Sequence, residues 1–334
     1  MGYFLSSSKN VLKGIMAMKN QSKITNSKVS QLSFKESWKR DFRKNWVLYL
    51  MILPIIAFYL IFHYKPMYGA LMAFQDFSPK LGVMGSPWVG FKWFEQFFSS
   101  SDFPRLMKNT LSISLTSLIC GFPLPIIFAL FLNEIKNNAF KRTVQTISYL
   151  PHFISLVVIC GMIKSFVASD GIVGMFYSML TGDNISLLNN PKAFVPIYVI
   201  SGIWQSVGWS SILYLSALST IDQQQYEAAE IDGAGRFRKM WHITLPGLRE
   251  TMVVLLILNM GSIMNVGHDK VLLLYHPGIY STADIISTYV YRLGFETRNW
   301  SMSTAVGLFN SVCTILLVLI SNRISKRVSG SGVL

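Results

Sequence analysis

The chain has 334 residues, 51% of them hydrophobic and only 14% charged, with a mean hydropathy of +0.41. Soluble domains carry about a quarter charged residues, so this balance excludes an ordinary water-soluble enzyme and points to repeated membrane spans. Lys and Arg outnumber Asp and Glu by 30 to 16. That excess lies beside apolar runs, where anionic lipid and the positive-inside rule place it, and does not indicate nucleic acid.

Residues 1–45 are rich in Lys, Ser, Asn and Gln, with only Glu36 and Asp41 as acids. They lack the compact apolar region and small-residue cleavage site of a signal peptide and read as a basic cytoplasmic tail, disordered by default. Trp38 to Lys44 form a basic-aromatic foot suited to the inner membrane surface. A bilayer span takes ~20 apolar residues. Six stretches meet that need, at about Trp46–Tyr64, Thr110–Leu132, Val144–Val167, Phe194–Ser219, Arg249–Val266 and Trp300–Asn322. The predicted fold class is therefore an all-α integral membrane protein with six transmembrane helices over 46–325 and a short tail at 326–334. Pro151 and His152 interrupt the third stretch, and its Lys164 can snorkel toward an interface. Cys120, Cys160 and Cys313 sit in separate apolar runs without metal or redox spacing, as packing residues do.

Placing the N-terminus inside puts 20 Lys and Arg on inner segments and 9 on outer ones. Both termini and the 222–247 loop then face the cytoplasm. The outer connection 65–109 is aromatic, with Tyr68, Phe74, Phe77, Trp88, Phe91, Trp93, Phe94, Phe97 and Phe98, and is broken by Pro79, Pro87 and glycines. It reads as interfacial helices and turns packed over the outer mouth.

Between the fourth and fifth spans lies EAAEIDGAGRFRKMWHITLPGL, Glu227–Leu248, polar and densely charged. Asp222 can cap a helix, with Gln225 three residues on in a capping-box arrangement. Tyr226 to Ile231 form a short helix, ended by Gly233 and Gly235 at positive φ. A second helix places Phe237, Met240, Trp241, Thr244 and Leu245 on one side and Arg236, Arg238, Lys239 and His242 on the other. Pro246-Gly247 stops it. Small Ala228, Ala229 and Ala234 allow close approach, while Glu227, Glu230 and Asp232 offer acceptors. Such a segment suits either a docking knob or an ordinary amphipathic connector.

The spacing of Glu227, Ala228, Ala229, Asp232, Gly233, Ala234, Trp241, Ile243, Leu245, Pro246 and Leu248 resembles the EAA loop of permease subunits of type I ATP-binding-cassette (ABC) importers. Trp241 departs mildly, since phenylalanine is also common there. The resemblance implies a cytoplasmic coupling helix seated in a groove of a separate ATPase. WVGFKWFEQFF at 88–98, followed by Asp102-Phe103 and Asn109-Thr110, is similar to sugar-importing permeases of that superfamily. KPMYGALMAFQDFSP at 65–79 and KRTVQTISYLPHFIS at 141–155 resemble the branch importing oligosaccharides derived from complex polysaccharides. The likeness extends over about residues 45–325. It implies a second permease subunit in a heterodimer, two ATPase subunits that carry the ATP and magnesium, an extracytoplasmic solute-binding protein, and a bacterial cytoplasmic-membrane location.

The chemistry missing from the chain agrees with that division of labour. There is no G-x-x-x-x-G-K-[ST] run, so ATP binding is expected on another polypeptide and no cofactor on this one. No zinc-protease, nucleophile-elbow or paired-carboxylate pattern occurs, so no catalytic role is expected. His63, His152, His242, His268 and His276 fall in different loops or span ends and are read as interface residues; no metal site is expected. The spans hold no carboxylate of the kind an ion-coupled carrier uses. That absence favours an energy source outside the membrane domain; the alternative to an ATP-driven importer is a passive channel, or a secondary carrier with a regulatory cytoplasmic loop.

A sugar presents hydroxyl edges and apolar ring faces, so its path should offer amides, hydroxyls and aromatic rings. The fourth span carries Trp204, Gln205, Ser206, Trp209, Ser210, Ser211 and Tyr214. Helical spacing puts Trp204 and Ser211 on one stripe and Gln205 and Trp209 on the next. Asn259, Ser262 and Asn265 give the fifth span a polar stripe. Such groups also join helices through hydrogen bonds; as a set they are the expected substrate path, with Tyr149 and His152 beside Pro151 as further candidates. Gly161, Gly202 and Gly208 are expected to permit close helix packing.

Overall fold

The computed structural model describes residues 34–329, so most of the expected N-terminal tail and residues 330–334 lie outside the described residues. The described chain is helical from end to end; the only extended pairing among these residues is an isolated bridge between Gln75 and Trp88. Two compact units divide at Tyr68 and Gly69.

In the first unit, helix α1, Phe34–Tyr59, begins ahead of the expected span. Asn45 leaves helical geometry (φ −118°, ψ 21°) and separates the basic-aromatic start from the apolar run. The Asp41 carboxylate braces this joint, accepting from Asn45 Nδ2 at 2.7 Å and Tyr49 OH at 2.6 Å. A π-helical turn, Leu60–Tyr64, and a last turn, Lys65–Met67, continue the span.

The second unit contains α2 (Lys92–Phe98), α3 (Asp102–Gly121), α4 (Pro123–Glu134), α5 (Asn138–Tyr149), α6 (Leu156–Val167), α7 (Ile172–Thr181), α8 (Pro191–Leu218), α9 (Gln223–Ile231), α10 (Arg236–Lys239), α11 (Arg249–Gly261), α12 (His268–Leu274), α13 (Ile286–Tyr291) and α14 (Trp300–Ser329). Four segments among the described residues are long and apolar enough to cross a bilayer: 41–74, 102–134, 156–181 and 300–324. Arg236–Gly247 and Arg249–Gly261, bent by 58°, make a fifth if taken as one broken span. α8 has 28 residues, length enough to cross, but Gln205 and its serines and tryptophans lower its hydropathy. Its polar content faces other protein and a cavity, as described below.

The third span differs from expectation. It runs over 156–181, not 144–167. Pro151 sits in a 3-10 turn, Leu150–Phe153, that ends α5, and Ser155 restarts the chain as N-cap of α6, accepting from Val158 N. The 138–149 stretch is thus a separate amphipathic helix, begun by Asn137, whose side chain accepts from Ala139 N and Phe140 N. A count of apolar residues could not locate this break, because α5 has an apolar face as well.

The 69–109 connection packs as a folded cap. Phe74 stacks on Trp88 at 5.6 Å, Trp93 Nε1 donates to Gln75 O at 2.9 Å, and Phe77 N donates to Ser301 Oγ at 2.9 Å. Phe97 is fully buried against Phe103, Tyr289 and Phe309. Beside this cap, buried Asp284 gathers α3 and α13. It accepts from Arg292 Nη1 and Nη2 (3.1 and 2.7 Å), Thr288 Oγ1 (2.9 Å) and Arg105 Nη2 (3.2 Å). Asn109 Nδ2 donates to Asp284 O at 2.9 Å, and Ile286 N donates to Thr110 Oγ1 at 3.1 Å. Both carboxylate oxygens of Asp284 are bonded to charged or hydroxyl donors, which is the condition under which burying a carboxylate is tolerated.

Candidate functional site

A cavity of about 610 Å³ opens between α3, α8 and α11, within the size range of small-molecule sites. Among the expected path residues it is lined by Trp209, Tyr214, Asn259, Ser262 and Asn265. The α8 contribution is a stripe at Ser206, Trp209, Ser210 and Leu213, spaced i, i+3, i+4, i+7. Of the two stripes expected on this helix, Trp209 lines this cavity and Gln205 lines the smaller one beside it. Trp204 lines neither this cavity nor the smaller one beside it. Ser211 is fully buried. The side bearing Gly208 and Ser211 lies against α5: a Cβ at Gly208 would come within 2.2 Å of Ser148 O. Gly208 is therefore required for helix approach, whereas Gly161 has open space around it.

His152 stands behind the wall. Its ring stacks on Trp209 at 4.4 Å and 3°, with Phe153 edge-on to the same indole at 5.5 Å. The imidazole fixes the plane of the aromatic face offered to the cavity, and so acts one layer removed.

The polar stripe of α11 bonds mostly to its own backbone. Asn259 Nδ2 donates to Leu255 O at 2.7 Å, and Ser262 Oγ donates to Asn259 O at 2.7 Å. Only Asn265 reaches another helix, accepting from Asn310 Nδ2 at 3.0 Å. Helix-to-helix adhesion therefore accounts for one of the three, and the other two keep acceptor capacity toward the cavity. Across it, Ser114 Oγ donates to Ile263 O and to Thr110 O, tying α3 to the end of α11.

A second cavity of about 240 Å³ shares Ser117, Gly121, Tyr198 and Ser206 with the first, and adds Gln205, Gly202 and Lys270. Sequence reasoning counted Lys270 as an ordinary outer-loop charge. Instead α12 turns it inward, where it is only 6% exposed. Its Nζ donates to Tyr198 O at 3.0 Å and lies 4.7 Å from the centre of the Tyr198 ring. Burial holds its ammonium down to about 8. Charge counting could not reveal this, since nothing in a linear count says which loop lysine folds back.

The 222–247 loop is the other candidate site. Asp222 caps α9 by accepting from Gln224 N at 2.9 Å. The helix ends in a Schellman motif: Ala234 N donates to Ala229 O at 2.8 Å and Gly233 N to Glu230 O at 3.0 Å. Gly233 has the expected positive φ of 72°, but Gly235 does not. It is extended (φ −68°, ψ 169°) as N-cap of α10, because one left-handed residue already completes the turn. Tyr226 OH and Thr244 Oγ1, 3.0 Å apart, and the Lys239–Glu230 pair at 3.2 Å hold the two halves together. Glu227, Ala228, Asp232, Gly233 and Pro246 are exposed, and Ala229, Ala234 and Leu245 half-buried. The expected apolar face of α10 splits: Met240, Thr244 and Leu245 turn inward, whereas Phe237 and Trp241 are 83% and 70% exposed, with Ile231 at 88%. The loop therefore presents bare apolar side chains together with the exposed acids Glu227 and Asp232.

The root of this loop is embedded. Fully buried Leu248 packs with Ile126, Ala129 and Leu130 of α4 and with Tyr214 and Leu218 of α8. A Cβ at Gly247 would meet Ile221 Cδ1 at 2.6 Å, so the two ends of the loop touch. Tyr214 belongs both to this root and to the cavity wall. The loop's root therefore packs directly on α8 and α11, which form two sides of the cavity.

Comparison with known proteins agrees with this arrangement. The chain is 46% identical over 297 residues to Protein LplB of Bacillus subtilis (strain 168), covering 89% of this chain and 93% of that protein. It is 43% identical over 287 residues to the polygalacturonan/rhamnogalacturonan transport system permease protein YteP of the same organism, covering 86% and 89%. Among solved structures, a bacterial ABC transporter involved in the import of the acidic polysaccharide alginate superposes with TM-score 0.82 at 43% identity, over 88% of this chain and all of that one. The same kind of transporter has been solved with an alginate pentasaccharide-bound periplasmic protein (TM-score 0.81, 42% identity). Residues 121–330, which carry the cavity's α8 and α11 walls and the whole loop between them, match the binding-protein-dependent transport system inner membrane component, and the chain belongs to that family.

Proposed function

We propose that this chain is the permease subunit of an ATP-driven importer that carries an oligosaccharide released from a complex polysaccharide across the cytoplasmic membrane. The observation that carries the reading is the shared root: Leu248 and Tyr214 join an exposed 222–247 loop to the walls of a polar, aromatic cavity. Relatives whose printed names concern polygalacturonan, rhamnogalacturonan and alginate support the choice of saccharide.

In this scheme the loop lies on the cytoplasmic side, as the distribution of Lys and Arg indicates. A separate ATPase, holding ATP and magnesium, seats Glu227, Ala228, Ala229, Asp232, Gly233 and Ala234 in its groove, with Leu245 and Pro246 at the base. A second permease subunit completes the membrane pathway, and an extracytoplasmic binding protein delivers the saccharide. The relative solved with a saccharide-loaded periplasmic protein supports that last partner. Closure of the ATPase pair moves the loop, the loop moves α8 and α11, and the cavity changes the side to which it opens. Trp209 supplies a ring face for stacking, while Asn259, Ser262 and the α8 serines supply hydrogen bonds to hydroxyls. The chain contributes the path and the lever, and the energy enters elsewhere.

The test is reconstitution of the purified assembly in vesicles, with labelled saccharide uptake followed with and without internal ATP. Uptake that requires ATP, and an ATPase subunit that co-purifies through this chain, support the reading. Uptake at the same rate without ATP would establish a passive conduit instead.

A further inference from the structure

The two cavities in the membrane-spanning part present hydroxyls, amides and rings, and among their lining residues Lys270 is the only charged side chain. No carboxylate lies within ion-pair distance of it among the described residues, and one of its three donors is used, on Tyr198 O. Next to it, where the cavities join, Ser117 Oγ is buried without a hydrogen-bond partner. Gln205 and Ser206 complete that corner. A buried ammonium without a counter-charge is costly, and elsewhere in this chain such a cost is met: Arg105 and Arg292 both reach Asp284. At Lys270 the missing anion would have to come from outside the protein.

Resting on the importer reading above, we propose that Lys270, with Ser117 and Gln205, forms a carboxylate subsite, so that the saccharide this chain passes is an acidic one built from uronate residues. A single ammonium matches a single carboxylate. A phosphate dianion would keep one charge unmatched in a corner that otherwise offers only neutral groups. The ring of Tyr198 below Lys270 restricts where the ammonium can point, and the adjoining larger cavity accommodates a neighbouring sugar against Trp209. Burial depresses the ammonium in the empty site, and an arriving carboxylate would restore it, so ligand and charge stabilise one another.

The experiment uses the whole assembly in lipid nanodiscs without its binding protein, so that only the membrane path selects. Equilibrium binding is measured for trigalacturonate, its carboxyl-reduced neutral counterpart and a sugar phosphate, in the native protein and in Lys270→Met and Lys270→Arg. The native protein should prefer trigalacturonate over the neutral sugar by ten-fold or more. Lys270→Met should erase that preference without weakening the neutral sugar, and Lys270→Arg should retain most of it. The proposal is overturned by absence of a preference in the native protein, by its persistence in Lys270→Met, by equal loss of both sugars in that variant, or by tighter binding of the phosphate. ATP-driven uptake by the same preparations is read separately. Its presence together with any of those outcomes removes the subsite alone, whereas its absence removes the importer reading.

Discussion

The two ends of α8 are held by opposite means. Near its first residues, Thr282 Oγ1 donates to Pro191 O at 2.7 Å, and the adjacent Asp284 network is buried with every carboxylate oxygen bonded. At its last residues, roughly 40 Å away for 28 residues of helix, the chain enters a loop whose ion pair is exposed and whose apolar side chains are bare. The first end is closed upon itself and the second is unfinished. The proposed lever would need that asymmetry, with one end braced within the chain and the other left for a partner.

The largest effect that would break this contrast is expected at the braced end. Asp284→Ala leaves Arg292 without a counter-charge and Arg105 with Asp102 alone, and should cost about 3–5 kcal/mol, read as a lowered melting temperature of the detergent-solubilised protein. A variant that melts normally would show that the network braces nothing. At the open end, Glu227→Lys should leave melting unchanged but weaken ATPase capture by about 2 kcal/mol or more, roughly 30-fold, in a co-purification titration. Should it melt early instead, the loop would be part of the fold, not a docking face. Midway along α8, Gly208→Ala drives a methyl group into the Ser148 carbonyl and should cost about 1–3 kcal/mol of stability. The smallest effect sharpens the comparison. Lys239→Ala removes an ion pair whose Glu230 side chain is 76% exposed, and stability should change by less than about 0.5 kcal/mol. Equal losses from Asp284→Ala and Lys239→Ala would erase the distinction between the two ends.

Much of the loop is legible in its residues alone. Asp222 and Gly233 announce a cap and a left-handed turn through local chemistry alone, and both stand where the spacing puts them. Local rules lose force where tertiary neighbours decide. Gly235 and Gly233 look alike in sequence, yet a Schellman ending needs only one positive φ. Phe237 and Met240 both belong to the apolar stripe, but Met240 packs against the buried cluster at the loop's root whereas Phe237 is 83% exposed. The same limit governs the cavity. Periodicity sorts α8 into stripes without telling which of them α5 covers, so Trp204 and Ser211 rank there with Ser206, Trp209 and Ser210, of which only the last three line the cavity. Lys270 was hidden for a different reason. Its inward turn depends on the break at 262–267, where α11 stops and α12 begins, and no residue pattern marks the direction of that turn. The stretch Phe194–Ser219 reads as a span in the sequence and is continuous helix through Leu218, although its polar side chains lower its hydropathy below that of the other long segments.

The pinch between Gly247 and Ile221 sets how force can travel. Because both legs of the loop touch at the base, the protrusion cannot flex like a hairpin or tilt on one leg while the other stays put. A pull applied anywhere on it arrives at two helices at once and in fixed proportion. Under the proposed coupling, the stroke would be set by where those helices pivot, not by the grip of whatever pulls. Widening the base, for instance by a bulkier residue at Gly247, should introduce slack: nucleotide turnover would continue while the cargo stayed behind.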